Sequence, residues 1–147
     1  MDISRLAADQ RGKIIELRRQ LHMYPEPGLK EYETRKKIES ALDSLKIPFV
    51  SVPPTGIIAT IQGGQPGKTV ALRADMDALQ LQEENTHDYV SRNPGFSHAC
   101  GHDAHMAMLV GAAAVLMEIQ DQIRGTVKLV FQPAEEIFAG ARAIIQA

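Results

Sequence analysis

Three of the chain's five histidines fall in one eight-residue stretch, HACGHDAH at 98–105, which also holds the only cysteine, Cys100. Imidazole nitrogen and thiolate sulfur crowded into a loop that runs into a helix form a donor set suited to a divalent metal ion. In extended backbone Cys100 and His102 point to one side, so both can reach one ion. Gly101 between them lets the chain turn sharply. Asp103 stands where it can cap the helix or orient an imidazole. His98 and His105 flank the pair, each either a further ligand or a bystander.

Two acidic motifs could serve the same chemistry. In KLVFQPAEE a β-branched run ends in Glu135-Glu136. Strand ends are where function gathers in open α/β sheets. Adjacent residues on extended chain face opposite ways, so one carboxylate can bind metal while the other moves a proton of the attacking water. In LRADMDAL, Asp75 and Asp77 stand two apart after a strand, placed to support a metal or orient an imidazole. Each acidic pair alone is an ordinary loop or helix-start feature. The three motifs together are harder to dismiss.

Other chemistries find less support. No G-x-S-x-G elbow exists for a serine nucleophile. A thiol-dependent hydrolase using Cys100 with a nearby histidine remains an alternative, but it leaves the Glu pair idle. Gly67-Lys68-Thr69 mimics the end of a phosphate-binding loop, yet the required earlier glycine is replaced by Gln62 and a strand, not a helix, follows.

The elements that must position these groups read as α/β. The chain has 147 residues, 44% hydrophobic and 23% charged, with a net charge of −2. That fits one globular domain and gives no bulk charge with which to hold nucleic acid or an anionic membrane. One cysteine excludes an internal disulfide. The charged start lacks a signal-peptide core, and the longest apolar run, Met106 to Met117, is too short to span a bilayer. A cytoplasmic location is expected.

Apolar spacing predicts a helix over 3–23 and a second over 31–45 with Ile38, Ala41, Leu42 and Leu45 on one face. The run Arg35-Lys36-Lys37 on that helix reads as a solvated surface. Strands are expected at 49–52, 57–61 and 69–74, with 63–67 as a hairpin turn between the last two. A long polar loop covers 75–102. A buried helix at 104–120, a strand at 126–132, a turn at 133–136 and a helix from 138 follow. Strand, loop, helix, strand, loop, helix implies a mixed sheet flanked by helices.

Four stretches taken together resemble the M20 metallopeptidase family, in particular its amidohydrolase branch acting on N-acyl amino acids, hippurate and auxin conjugates. They are RRQLHMYPEPGLKEYET (18–34), LRADMDAL (72–79), SHACGHDAHMAMLVGAA (97–113) and FQPAEE (131–136). The resemblance implies an α/β catalytic domain that carries a smaller inserted lid domain, often used for dimerisation. It implies Cys100, His102 and Glu136 as metal ligands and Glu135 as the general base toward a metal-activated water. It places Asp75 and Asp77 near the metal centre without settling their roles. The centre usually holds two divalent metals, and mixed N, O and S ligation admits Zn, Mn, Co or Ni. The implied substrate is a small N-acyl amino acid, and homo-oligomers occur in full-length forms.

The sequence departs from the family pattern at Gln80, where Pro is usual, and at Ile137 and Phe138, where glycines are usual. Family members are roughly 2–3 times longer, in keeping with two domains. Two further family histidine ligands and the lid have no matching residues here. The expectation is therefore the N-terminal portion, 1–147, of a zinc-peptidase-like catalytic domain without the lid. The competing expectation is an inactive fragment that at most binds metal or a partner chain.

Overall fold

The computed structural model describes residues 2–147. Helices α1 (Ile3–Asp9), α2 (Arg11–Met23) and α3 (Tyr32–Ser44) lead into strands β1 (Phe49–Val52), β2 (Gly56–Gln62) and β3 (Gln65–Asp75). Helix α4 (His102–Glu118), a short 3-10 turn (Gln120–Gln122), strand β4 (Arg124–Gln132) and helix α5 (Gly140–Gln146) complete the order. The helix expected over 3–23 is two helices that meet at Gln10, the C-cap of one and N-cap of the next. The last helix begins at Gly140 rather than 138, because residues 135–138 form a turn.

The four strands form one mixed sheet in the order β1-β2-β4-β3. Strands β1, β2 and β4 pair antiparallel, and β3 runs parallel to β4. This corrects the hairpin expected at 63–67. Strand β4 inserts between β2 and β3, so Gly63 and Gln65 bond to Gly125 and Ile123 instead of to each other's strands. Turn residues signal a change of direction but not which strand the next one pairs with. The parallel β3–β4 pair requires a long crossover, and α4 supplies it.

Burial alternates along β4, where Val127, Leu129 and Phe131 face the core and Lys128 faces out. With Ile57, Ala59 and Ile61 of β2 they pack against Leu21, Ile38, Leu42 and Met106 from α2, α3 and α4. Removing a fully buried side chain such as Leu129 or Ile38 would cost about 2–5 kcal/mol. Helices α2 and α4 approach closely at Gly111, where any Cβ would overlap the side chain of Ile14. The opposite edge is open. Strand β3 lies at the end of the sheet, with Val70 and Leu72 exposed. Among the described residues no helix is long and apolar enough to cross a membrane.

Candidate metal centre

The site sits where β3 and β4 end and α4 begins. Gly101, with φ +98°, makes a left-handed turn immediately before His102, the first residue of α4. This turn, not the extended chain expected from sequence, brings Cys100 and His102 together. Their donor atoms and a carboxylate oxygen of Glu136 all lie within 4.8 Å of one another. The Nδ1 of His102 donates to the backbone carbonyl of Asp77 at 2.8 Å. A carbonyl only accepts, so Nδ1 carries the proton and Nε2 keeps its lone pair for the centre. Around Nε2 stand Glu136 Oε1 at 3.6 Å, Glu135 Oε2 at 3.7 Å and Asp75 Oδ1 at 3.7 Å.

Asp77 organises the whole site. Its two carboxylate oxygens accept the backbone N–H groups of Glu135 and Glu136, each at 3.0 Å. Its Oδ1 is also 3.4 Å from His102 Nδ1. These bonds bend the Glu pair into a turn, so the two carboxylates do not face opposite ways as an extended chain would have them. Both approach His102. Burial works against the Asp77 carboxylate, but the His102 ring and the two backbone donors outweigh it and hold its pKa below the ordinary value.

Glu31 holds the same turn from the other side. It is fully buried just before α3, accepts the Thr55 hydroxyl at 2.5 Å, and accepts the N–H of Ala134 at 2.8 Å. Ala134 has a positive φ of 52°, a strained conformation for a residue with a Cβ. Burial raises the Glu31 pKa despite both donors. No local pattern marks this role. Its partners lie 24 and 103 residues away, and the one signal was that its stretch belongs to the resemblance without an assigned task.

Asp75 accepts from His105 Nδ1 at 2.6 Å and pairs with Arg73 at 3.2 Å. Burial opposes its charge, yet these partners and His102 bring its pKa down. His105 therefore faces the centre through Asp75. His98 is buried with neither ring nitrogen bonded to a described residue, and burial pushes its pKa down to about 4. Asp103 lies inside the first turn of α4 instead of capping it. It does orient an imidazole, but that of His22, at 2.6 Å, and it also accepts from Arg18 Nε at 2.8 Å.

The arrangement fits a divalent cation. Three carboxylates and a thiol surround one imidazole nitrogen, which leaves negative charge uncompensated. Glu136 Oε1 is buried without a hydrogen-bond donor among the described residues. Burial opposes the charged imidazole of His102, but Asp77 and Asp75 prevail and raise its pKa. The same surroundings argue against a thiol nucleophile. No imidazole hydrogen-bonds Cys100 among the described residues, and partial desolvation together with Glu136 raises the thiol pKa.

Residues 71–147, more than half of the chain, match the model of peptidase family M20/M25/M40, and the chain belongs to that family. It is 45% identical over 148 aligned residues to the N-acyl-L-amino acid amidohydrolase of Geobacillus stearothermophilus, an alignment covering 99% of this chain and 40% of that protein. It is 47% identical over 135 residues to IAA-amino acid hydrolase ILR1-like 5 of Arabidopsis thaliana, covering 91% and 31%. Among solved structures it superposes on the Bacillus subtilis YXEP protein, described as a dinuclear metal-binding peptidase of the M20 family, with a TM-score of 0.89 and 44% identity. That superposition covers 92% of this chain and 38% of that one. The chain thus spans about a third to two fifths of these relatives' length.

Proposed function

We propose that residues 1–147 form the N-terminal portion of the catalytic domain of a metal-dependent amidohydrolase that cleaves N-acyl amino acids into a carboxylic acid and an amino acid. The observation that carries this reading is the convergence of Cys100, His102, Glu135 and Glu136 on one point, with the Glu pair bracketed by Asp77. The names of the similar proteins, an N-acyl-L-amino acid amidohydrolase and an IAA-amino acid hydrolase, supply the substrate class. The open β3 edge supports a larger domain, since an exposed strand edge is a liability that proteins usually cover. A cytoplasmic location and homo-oligomers belong to the same reading.

Cys100, His102 and Glu136 would hold the metal, with a second ion drawn to Asp75 and residues outside this chain. Such an ion, of Zn, Mn, Co or Ni, supplies positive charge that polarises the amide carbonyl and acidifies a water. Glu135 takes the proton from the attacking water and returns it to the leaving nitrogen, so water adds across the C–N bond and no proton is lost. Asp77 keeps Nε2 of His102 and both glutamates in place throughout. Glu135→Gln in the polypeptide carrying this chain should keep its metal and lose turnover by about 10²–10⁴-fold. Metal content by mass spectrometry and hydrolysis of an N-acetyl amino acid measure the two. Undiminished turnover would remove Glu135 as the base, and activity that survives full chelation would remove the metal reading.

A further inference from the structure

A second group of ligand-type atoms lies outside this centre, at the junction of α2 and the long loop 76–101. His22, Glu83 and His87 each offer one atom, all within 4.8 Å of one another. His22 Nε2 is 3.0 Å and His87 Nε2 is 3.2 Å from the same oxygen, Glu83 Oε1. A tetrahedral ion bound through two imidazoles and a carboxylate spaces its ligand atoms about 3.3–3.4 Å apart, close to both values.

The orientation of the His22 ring points the same way. Asp103 Oδ2 lies 2.6 Å from Nδ1 of His22, and a carboxylate only accepts, so Nδ1 is the donor. That leaves Nε2 of His22 as the atom aimed at Glu83 Oε1. His87 Nε2 approaches the same oxygen, and its Nδ1 is buried without a hydrogen-bond partner among the described residues. A proton on each Nε2 or one shared cation satisfies Glu83 Oε1 equally, and the Asp103–His22 pair is the carboxylate–histidine brace that metal-binding imidazoles use. Every ligand is held independently. Glu83 Oε2 accepts from the Ser91 N–H at 2.7 Å, and Oε1 accepts from Asn85 at 2.9 Å. The His87 ring stacks on Tyr89 with centroids 3.8 Å apart, and Arg18 and Arg19 lie over Tyr89.

We propose that His22, Glu83 and His87 form a second divalent-cation site of zinc class, which clasps loop 76–101 to α2. The three side chains are 8%, 4% and 29% exposed. Three protein ligands leave the fourth tetrahedral position for a water. The loop has one isolated bridge, Leu79 to Ser97, and no regular element, so a tether there has much to restrain. Through Asp103 the clasp also reaches the first turn of α4, one residue from His102.

The test counts Zn²⁺ in the polypeptide carrying this chain, with the first centre disabled by Cys100→Ser, His102→Asn and Glu136→Gln together. One Zn²⁺ per chain should remain after dialysis against metal-free buffer. Adding His87→Phe, which keeps the stack on Tyr89 but removes both nitrogens, should remove that ion or weaken it at least 100-fold. No retained Zn²⁺, or retention indifferent to His87→Phe, overturns the proposal in favour of a proton-bridged His–Glu–His network. Imidazole ¹⁵N spectra of the unaltered chain decide the matter without any substitution. Zn²⁺ saturation should shift Nε2 of both His22 and His87, and unshifted resonances overturn the proposal equally.

Discussion

Two clusters of imidazole and carboxylate meet at the first turn of α4, and they differ in access. Around His102 the acids are partly open, with Glu135 36% and Glu136 23% exposed, and Cys100 lies at the surface. Around His22 the acids are shut in, with Glu83 4% and Asp103 fully buried. In the first cluster the acids crowd one nitrogen, and Glu136 Oε1 has no donor among the described residues. In the second each carboxylate is braced by backbone or arginine. Residue type alone therefore does not separate the proposed substrate-facing centre from the proposed clasp. Openness and unspent acceptors do.

That contrast can be broken by substitution. The largest effect on stability is expected from Asp103→Asn, which strips the carboxylate from Arg18 and His22 in a buried setting. Urea unfolding should show a loss of about 3 kcal/mol, whereas Glu135→Gln should stay within about 0.5 kcal/mol of the original chain. Equal losses in the two variants would erase the distinction drawn between the clusters.

Asp77→Asn probes the brace within the open cluster. Asparagine cannot accept both backbone N–H groups of the Glu turn, so the ligand atoms should drift. Metal affinity at Cys100, His102 and Glu136 is expected to fall by about 10–100-fold, as read by calorimetric titration. An unchanged affinity would mean that the turn holds itself.

Glu31 gives the contrast a pH dependence. Its carboxyl is raised by burial above the ordinary 4.5, so the unfolded chain loses this proton at lower pH than the folded one does. The stability it contributes is complete below about 4.5 and declines as pH rises through the folded value. Unfolding midpoints across that window should show the decline, and Glu31→Gln should flatten it. A slope that persists in the variant assigns the effect to another group.

The smallest effect concerns Phe138, where the family usually has glycine. Phe138 has φ +56° and is 94% exposed, so it pays for a left-handed backbone with no packing in return. Phe138→Gly should stabilise the chain by about 0.5–1 kcal/mol in thermal unfolding. A loss instead would show that the Phe138 ring makes a compensating contact in solution.

Much of this was readable in the chain. The period of Ile38 and Leu42 marked α3, and the alternation of Val127, Leu129 and Phe131 marked β4, because local backbone geometry repeats with the side chains that must be buried. Cys100, His102 and the Glu pair stood out because few other chemistries use those types so close together. Three features were not readable. The insertion of β4 between β2 and β3 depends on which edge offers the better pairing, and turn residues do not encode that. The convergence of Glu135 and Glu136 on His102 depends on Asp77, whose bonds span 58 and 59 residues. The buried brace of Glu31 spans 103. The sequence by itself determined the element types, the family and the candidate donors, since these follow from local period and residue chemistry. Only the tertiary structure decided which donors share a point, which carboxylates are braced and which are left open, because those outcomes depend on contacts between segments far apart in the chain.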